Sequence, residues 1–268
     1  MAQIKDLIAE CFGTFVLTFV GCGAFGLTQG VLGTAIAFGL VYFTMIYTVG
    51  RVHDLHMNPT VSFAFFLRDL DAVKFILYFA AQIIGALIGT LAVFGFAYMS
   101  LGSKSSVMIE FFNDGTNNIL DYTHEGGKFK AGNTFGGLLT EFVLSFLFVY
   151  IFFCGSQEKN LKDKGLLIGS GIAMLHLVGI SITGCSLNFA RSLAAAITQP
   201  TYFGNKNHKA IEQIWIWFIA TFLGAAAAKF FFDFMHGGSG RSGENKLSDK
   251  GEPPQIVVNR LKVDSNDN

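Results

Sequence analysis

Two asparagines stand where apolar runs break off: Asn58 in His56–Ser62 (HMNPTVS) and Asn188 in Thr183–Ser192 (TGCSLNFARS). Each is followed by a short run of small and apolar residues of helical pattern. An Asn at a helix start caps its own helix through the carbonyl oxygen and keeps its amide N–H groups for other work. In the second stretch Arg191 follows the Asn at i+3. A guanidinium in so apolar a setting is costly, and such a residue marks a pathway. The chemistry on offer is hydrogen bonding to a polar solute, not the making of bonds. The Cys, His and acidic residues form no CxxC or Cys/His spacing, so no zinc site, disulfide framework or cofactor is expected. No nucleophile–base pairing by motif is present, which argues against an enzyme.

Composition says what surrounds these residues. Of 268 residues, 51% are hydrophobic and 14% charged, with 30 Phe; soluble domains carry about 25% charged residues. Mean hydropathy is +0.48. Lys plus Arg and Asp plus Glu number 19 each, so the zero net charge gives no footprint for nucleic acid. The start, MAQIKDLIAE, does not look like a secretory signal, because Glu10 interrupts it.

A spanning helix needs about 20 mostly apolar residues. The runs that qualify are Leu7–Leu27, Val31–Gly50, Val73–Met99, Phe135–Gly155, Gly165–Thr183 and Ile211–Phe234. Asn58–Leu67 and Asn188–Thr198 are apolar but too short to cross. Short apolar pieces at corresponding places in two halves point to a transport site. The halves do correspond. Glu10 with Thr14 and Phe15 aligns with Glu141, Ser145 and Phe146. Asn58 and Ser62 align with Asn188 and Ser192, and Ala81, Gly85 and Ala86 with Ala220, Gly224 and Ala225. Three spans per half is an odd number, so the second copy enters the membrane inverted. The expectation is an all-α membrane protein: six transmembrane helices and two re-entrant half-helices in an inverted repeat. Its parts are a first repeat at 1–99, a connecting loop at 100–134, a second repeat at 135–236 and a disordered tail at 237–268. Small residues such as Gly39, Gly85, Gly89 and Gly224 are expected where helices approach closely.

If both short segments dip in from opposite faces, their N-termini converge at mid-bilayer, each worth about +0.5 charge. Irregular backbone at that depth is tolerated where it lines a water-filled cavity. Asp54, Leu55 and His56 before one Asn, and Gly184, Cys185 and Ser186 before the other, would offer carbonyls to a file of polar molecules. A water at the centre would accept from both amides, which breaks a proton wire.

These residues resemble the aquaporin, or major intrinsic protein, family. The likeness runs from Leu7 to about Phe234 and rests on the spans, the half-helices, the paired Glu10 and Glu141, and the two Asn boxes. It implies a passive channel carrying water through a lipid bilayer while excluding protons and ions, without a cofactor, in a homotetramer with one pore per subunit. It also implies a filter near the outer mouth, falling on Phe38, His176, Cys185 and Arg191. Phe, His and Arg with one small residue resemble the narrow filter of water-selective members. Glycerol-conducting members typically have a smaller residue at the His176 position and an Asp after the Arg; here Ser192 follows. The stretch from Asn188 to the last span is somewhat long for a water-only member. A channel for glycerol or other small neutral solutes is therefore the alternative reading. A structural or adhesion protein with a closed pore is the alternative from another class.

The chain departs from the family's Asn-Pro-Ala boxes. It has Asn58-Pro59-Thr60 and Asn188-Phe189-Ala190. Pro59 is pre-set for a helix start; Phe189 must fit its ring where two Pro rings normally stack, leaving open whether it keeps, narrows or shuts the centre. Glu10 and Glu141 are expected to accept hydrogen bonds from the half-helix loops, since an unpartnered buried carboxylate is prohibitive. His53 and Asp54 form either a solvated rim of the inner vestibule, the favoured reading, or a pH-sensitive gate. The charged loop Ser156–Lys164, with Lys159 and Lys162, is the other gate candidate. Both termini are expected in the cytoplasm, on a modest excess of Lys and Arg in the corresponding loops. The membrane is either the plasma membrane or that of an internal vesicle or vacuole.

Overall fold

The computed structural model describes residues 4–28, 30–101, 131–203 and 211–237. The middle of the expected connecting loop and the tail from 238 lie outside the described residues. Within one compact unit the helices are α1 (Ile4–Thr28), α2 (Val31–Thr48), α3 (Pro59–Arg68) and α4 (Ala72–Leu101), then α5 (Ala131–Ser156), α6 (Leu161–Thr183), α7 (Phe189–Phe203) and α8 (Ile214–His236). Short 3-10 turns follow α2 at Val49–Arg51 and precede α8 at Ile211–Gln213. Six of these helices are long and apolar enough to cross a membrane. The chain is an all-helical, multi-pass integral membrane protein. Helices α4, α5 and α6 each extend past the expected spans by up to a turn.

Local chemistry sets the ends that matter. Asn58 caps α3, its side chain accepting from Thr60 N at 2.8 Å, with Pro59 at the first helical position. Asn160 caps α6 in the same manner through Lys162 N, at 2.9 Å. Gly184 ends α6 in the left-handed region at φ 75°, which turns the chain back toward α7.

Close helix crossings repeat between the halves. A Cβ on Gly85 of α4 would run into the Cys11 backbone of α1, and one on Gly224 of α8 into the Phe142 carbonyl of α5. At the centre α2 and α6 touch reciprocally. A Cβ on Gly39 would sit 2.7 Å from the Gly169 carbonyl, and one on Gly169 2.6 Å from the Gly39 carbonyl. Reciprocity of this kind is what a two-fold relation between the halves produces. The outward faces are apolar: Ile84 and Ile88 on α4, Val143 on α5, Met174 and Val178 on α6 and Leu223 on α8 are all exposed. Such a surface is suited to hydrocarbon, not water.

Gly39→Leu is expected to force α2 and α6 apart and abolish a monodisperse peak in size-exclusion chromatography, since even modest overpacking costs about 1–3 kcal/mol. Gly136→Ala, at an exposed position with open space around it, leaves the elution unchanged. Normal behaviour of Gly39→Leu would count against the close crossing.

Candidate channel site

The loops before α3 and α7 are bent the same way. Met57 and Leu187, each just before its Asn, have φ of 55° and 52°, and Cys185 has φ 54°. Such conformations cost non-glycine residues roughly 1–3 kcal/mol each and persist only where the surroundings impose them. Here two buried carboxylates impose them. Glu10 accepts from His56 N at 2.8 Å and Met57 N at 2.7 Å, and Gln82 Nε2 donates to it at 2.8 Å. Glu141 accepts from Ser186 N at 2.8 Å, Leu187 N at 3.2 Å and Thr183 Oγ1 at 2.5 Å. Serines one turn into the helices close both loops: Ser62 Oγ lies 3.0 Å from His56 Nδ1, and Ser192 Oγ 2.6 Å from Ser186 Oγ.

The two N-termini meet, and the asparagines join them crosswise. Asn58 Nδ2 donates to Leu187 O at 2.8 Å, and Asn188 Nδ2 to Met57 O at 2.7 Å. Asn188 Oδ1 accepts from Arg191 N at 3.3 Å. One N–H of each amide is thus used to fasten the opposite loop. The other N–H of each amide is not used by these two bonds.

None of the four positions expected to form a filter, Phe38, His176, Cys185 and Arg191, is more than 2% exposed. The Phe38 and His176 rings lie nearly parallel with centroids 4.3 Å apart, and Arg191 Cζ is 5.6 Å from the Phe38 ring centre. Arg191 Nη2 donates to Gly184 O at 3.4 Å. His176 Nδ1 lies 2.9 Å from Ile172 O, while its Nε2 has no protein partner among the described residues. Cys185 shares the neighbourhood but turns its thiol onto α6, 3.7 Å from Leu175 O. Cys22 of α1, which sequence reasoning passed over, interacts with Arg191.

The Phe189 ring centroid lies 6.2 Å from Phe79 of α4 and 5.1 and 6.1 Å from Phe218 and Phe222 of α8. The ring thus packs among aromatic side chains of those two helices.

At the other end of the pore loops the Asp54 side chain is 70% exposed to solvent, but His53 is drawn inward. The His53 side chain is 8% exposed, with Nε2 3.7 Å from Glu10 Oε1 and Nδ1 2.9 Å from Asp54 O. Tyr78 Oη lies 3.4 Å from His53 Nδ1 and 3.4 Å from Asp6 Oδ2. Asp54 is bonded at 2.6 Å to Lys164 Nζ, whose side chain is 5% exposed. Lys159 and Lys162 are exposed; the lysine that reaches the loop is Lys164, the last residue of the charged run. Burial holds the His53 imidazole below its ordinary value, against the pull of Asp6. Burial alone would raise Asp54, but the hydrogen bond and charge of Lys164 win and hold it below the usual range. Lys164 and His176 are about 18 Å apart along α6, so the two clusters bracket the Asn pair.

A polytopic helical protein whose two half-helices meet N-terminus to N-terminus inside the bundle is a channel architecture. The sequence matches the family described as Major intrinsic protein over residues 1–232. It is 30% identical over 232 residues to Aquaporin Z of Photorhabdus laumondii, covering 83% of this chain and 93% of that one. It is 34% identical over 221 residues to Aquaporin PIP2-5 of Oryza sativa subsp. japonica, covering 79% and 70%. An aquaglyceroporin structure from Plasmodium falciparum superposes with a TM-score of 0.72 at 22% identity, over 87% of this chain and 96% of that one. The chain belongs to the major intrinsic protein family, whose members here are channels, not enzymes.

Glu141→Gln is expected to leave the left-handed loop without its anionic acceptor. The expected loss of about 2–4 kcal/mol should appear as a lower Tm in detergent and weaker channel flux in vesicles. An unchanged Tm with unchanged flux would show that the carboxylate does not hold the loop.

Proposed function

We propose that the protein is a passive water channel that excludes protons, ions and larger solutes. The observation carrying this reading is the stack of His176 on Phe38 beside Arg191, directly beyond the paired asparagines. Aromatic, imidazole and guanidinium groups so close leave a bore suited to one water, and the Arg charge with the two half-helix N-termini disfavours cations. Water supplies the partner that His176 Nε2 lacks within the protein. Phe38, His176 and Arg191 act through their side chains; Cys185, whose thiol is turned away, contributes shape and backbone. Asp54, Leu55 and His56, with Gly184, Cys185 and Ser186, supply the carbonyl ladder on either side. The reading places residues 1–99 and 135–236 as the two repeats, both termini in the cytoplasm, and four copies in the membrane assembly. A glycerol-conducting pore is the second reading, favoured by the fold shared with an aquaglyceroporin.

Stopped-flow osmotic swelling of proteoliposomes separates the two. Fast water flux with glycerol near the lipid background is expected; rapid glycerol entry in the wild type would replace the first reading with the second. The double variant His176→Ala, Arg191→Val is expected to admit glycerol at a rate well above wild type. Continued exclusion would mean the constriction lies elsewhere.

The cluster at the cytoplasmic mouth is proposed as an acid-sensitive element. His53 faces Asp6 and Glu10 of α1, Lys74 and Tyr78 of α4, and Asp54, His56 and Lys164 around its own loop. Its lowered value keeps it neutral above pH 6.5, the ordinary imidazole value. A cation beside Glu10 therefore forms only in acid, where it competes with the His56 and Met57 N–H groups for that carboxylate. Water flux should be constant above pH 6.5 and fall below it, and His53→Gln should remove the fall. A decline at neutral pH, or one surviving in His53→Gln, would refute this role.

A further inference from the structure

The second helix carries a polar group that the pore architecture does not require. Tyr42 lies at i+4 from Phe38 on α2, so it occupies the same face about 6 Å further along the axis. That step leads from the filter to the level of the paired asparagines. The residue is fully buried, its ring edge-on to Phe148 of α5 with centroids 5.5 Å apart. Its hydroxyl interacts with the side chains of both Asn58 and Asn188. Neither amide makes a hydrogen bond of direct length and alignment with it, and no other atom among the described residues does. A buried hydroxyl is rarely left in that state, because the unmade bond forfeits its desolvation cost. It sits opposite two amides that each retain one N–H after fastening the opposite loop.

We propose that Tyr42, Asn58 and Asn188 form a three-point station for a single water at the centre of the pore, with Tyr42 setting how fast that water leaves. The inference rests on the water-channel reading. The central water accepts one hydrogen bond from each asparagine and donates one hydrogen to the Tyr42 oxygen. Only its second hydrogen is left for the file. Two consequences follow. The water is bound by three fixed partners, so stepping away from the centre costs one bond more than between two amides and an apolar wall. The file is also broken on one side, because the water's one remaining hydrogen can point along it in only one direction. The hydroxyl therefore makes proton exclusion stricter and water passage slower. Ring packing on Phe148 limits the oxygen's freedom to follow the departing molecule.

Tyr42→Phe keeps the ring and removes only the hydroxyl. In proteoliposomes matched for protein content, its water permeability per channel is expected to rise about three- to tenfold, the weight of one hydrogen bond. The activation energy of flux, measured between cold and room temperature, should fall with it. Tyr42→Leu, which removes the hydroxyl in a different shape, should move both quantities in the same direction. A structural role alone would lower the Tm of Tyr42→Phe and leave the activation energy where it was. Wild-type water flux that Tyr42→Phe and Tyr42→Leu leave unchanged or lower would overturn the station while leaving the channel reading in place. Absence of flux above lipid background in wild type and both variants would overturn the water-channel reading itself, and the station with it.

Discussion

Two carboxylates carry the architecture. Glu10 and Glu141 are fully buried in helices that cross the membrane, and each receives two backbone N–H groups from a loop bent into the left-handed region. Remove the acceptor and the bend has no reason to persist: Met57 and Leu187 would relax to ordinary dihedrals, and their N–H groups would be stranded in an apolar interior. The dependence runs both ways. An isolated carboxylate at this depth would be prohibitive, and the loops repay its desolvation with charge-assisted hydrogen bonds. Each half of the pore is a compact exchange of this sort, solved twice with the same residue types.

The asparagines then convert two half-structures into one. Each caps its own helix with its oxygen and fastens the other loop with one of its two N–H groups. What remains for a permeating molecule is one donor from each side. The number of donors at the pore centre is therefore set by the cost of joining the halves. A residue without both an acceptor and two donors on a short stem could not serve all three demands, which is the physical reason for Asn at both positions.

Much of this was legible in the chain itself. The six spans follow from run length, and the half-helices from being too short to cross. The inverted relation of the two halves follows from paired Glu, Asn and Gly positions in equal order, with three spans in each half. What the sequence could not say is where a side chain points when its neighbours come from far along the chain. Phe189 stood at the first helical position of α7, where a Pro ring was the reference; its aromatic neighbours Phe79, Phe218 and Phe222 come from α4 and α8, far along the chain. His53 sat in a polar stretch that suggested solvent, but Asp6 and Tyr78 converge on it from two helices, while its neighbour Asp54 stays exposed and binds Lys164. Lys159 and Lys162 were preferred to Lys164 because the charged run as a whole looked solvated. The α6 helix begins inside that run and turns its one buried lysine to the loop. Tyr42 and Cys22 went unread because their helices offered too many apolar positions to single out two.

The departures from repetition fall in a pattern. Residues that hold backbone recur in both halves: Glu10 and Glu141, Ser62 and Ser192, Asn58 and Asn188, Gly85 and Gly224. Residues that would meet the permeating molecule away from the Asn pair do not. One side carries Phe38, His176 and Arg191, and the other His53, Asp54 and Lys164. A scaffold with two-fold symmetry must be built from matched parts, because each half satisfies the other's backbone. The two mouths face different solutions and share no such obligation. Symmetry is thus held where hydrogen bonding demands it and abandoned in the two clusters to which we assign selectivity and control. Tyr42 lies at the boundary between these regimes, a single hydroxyl from one half facing the paired asparagines through which the two halves are joined.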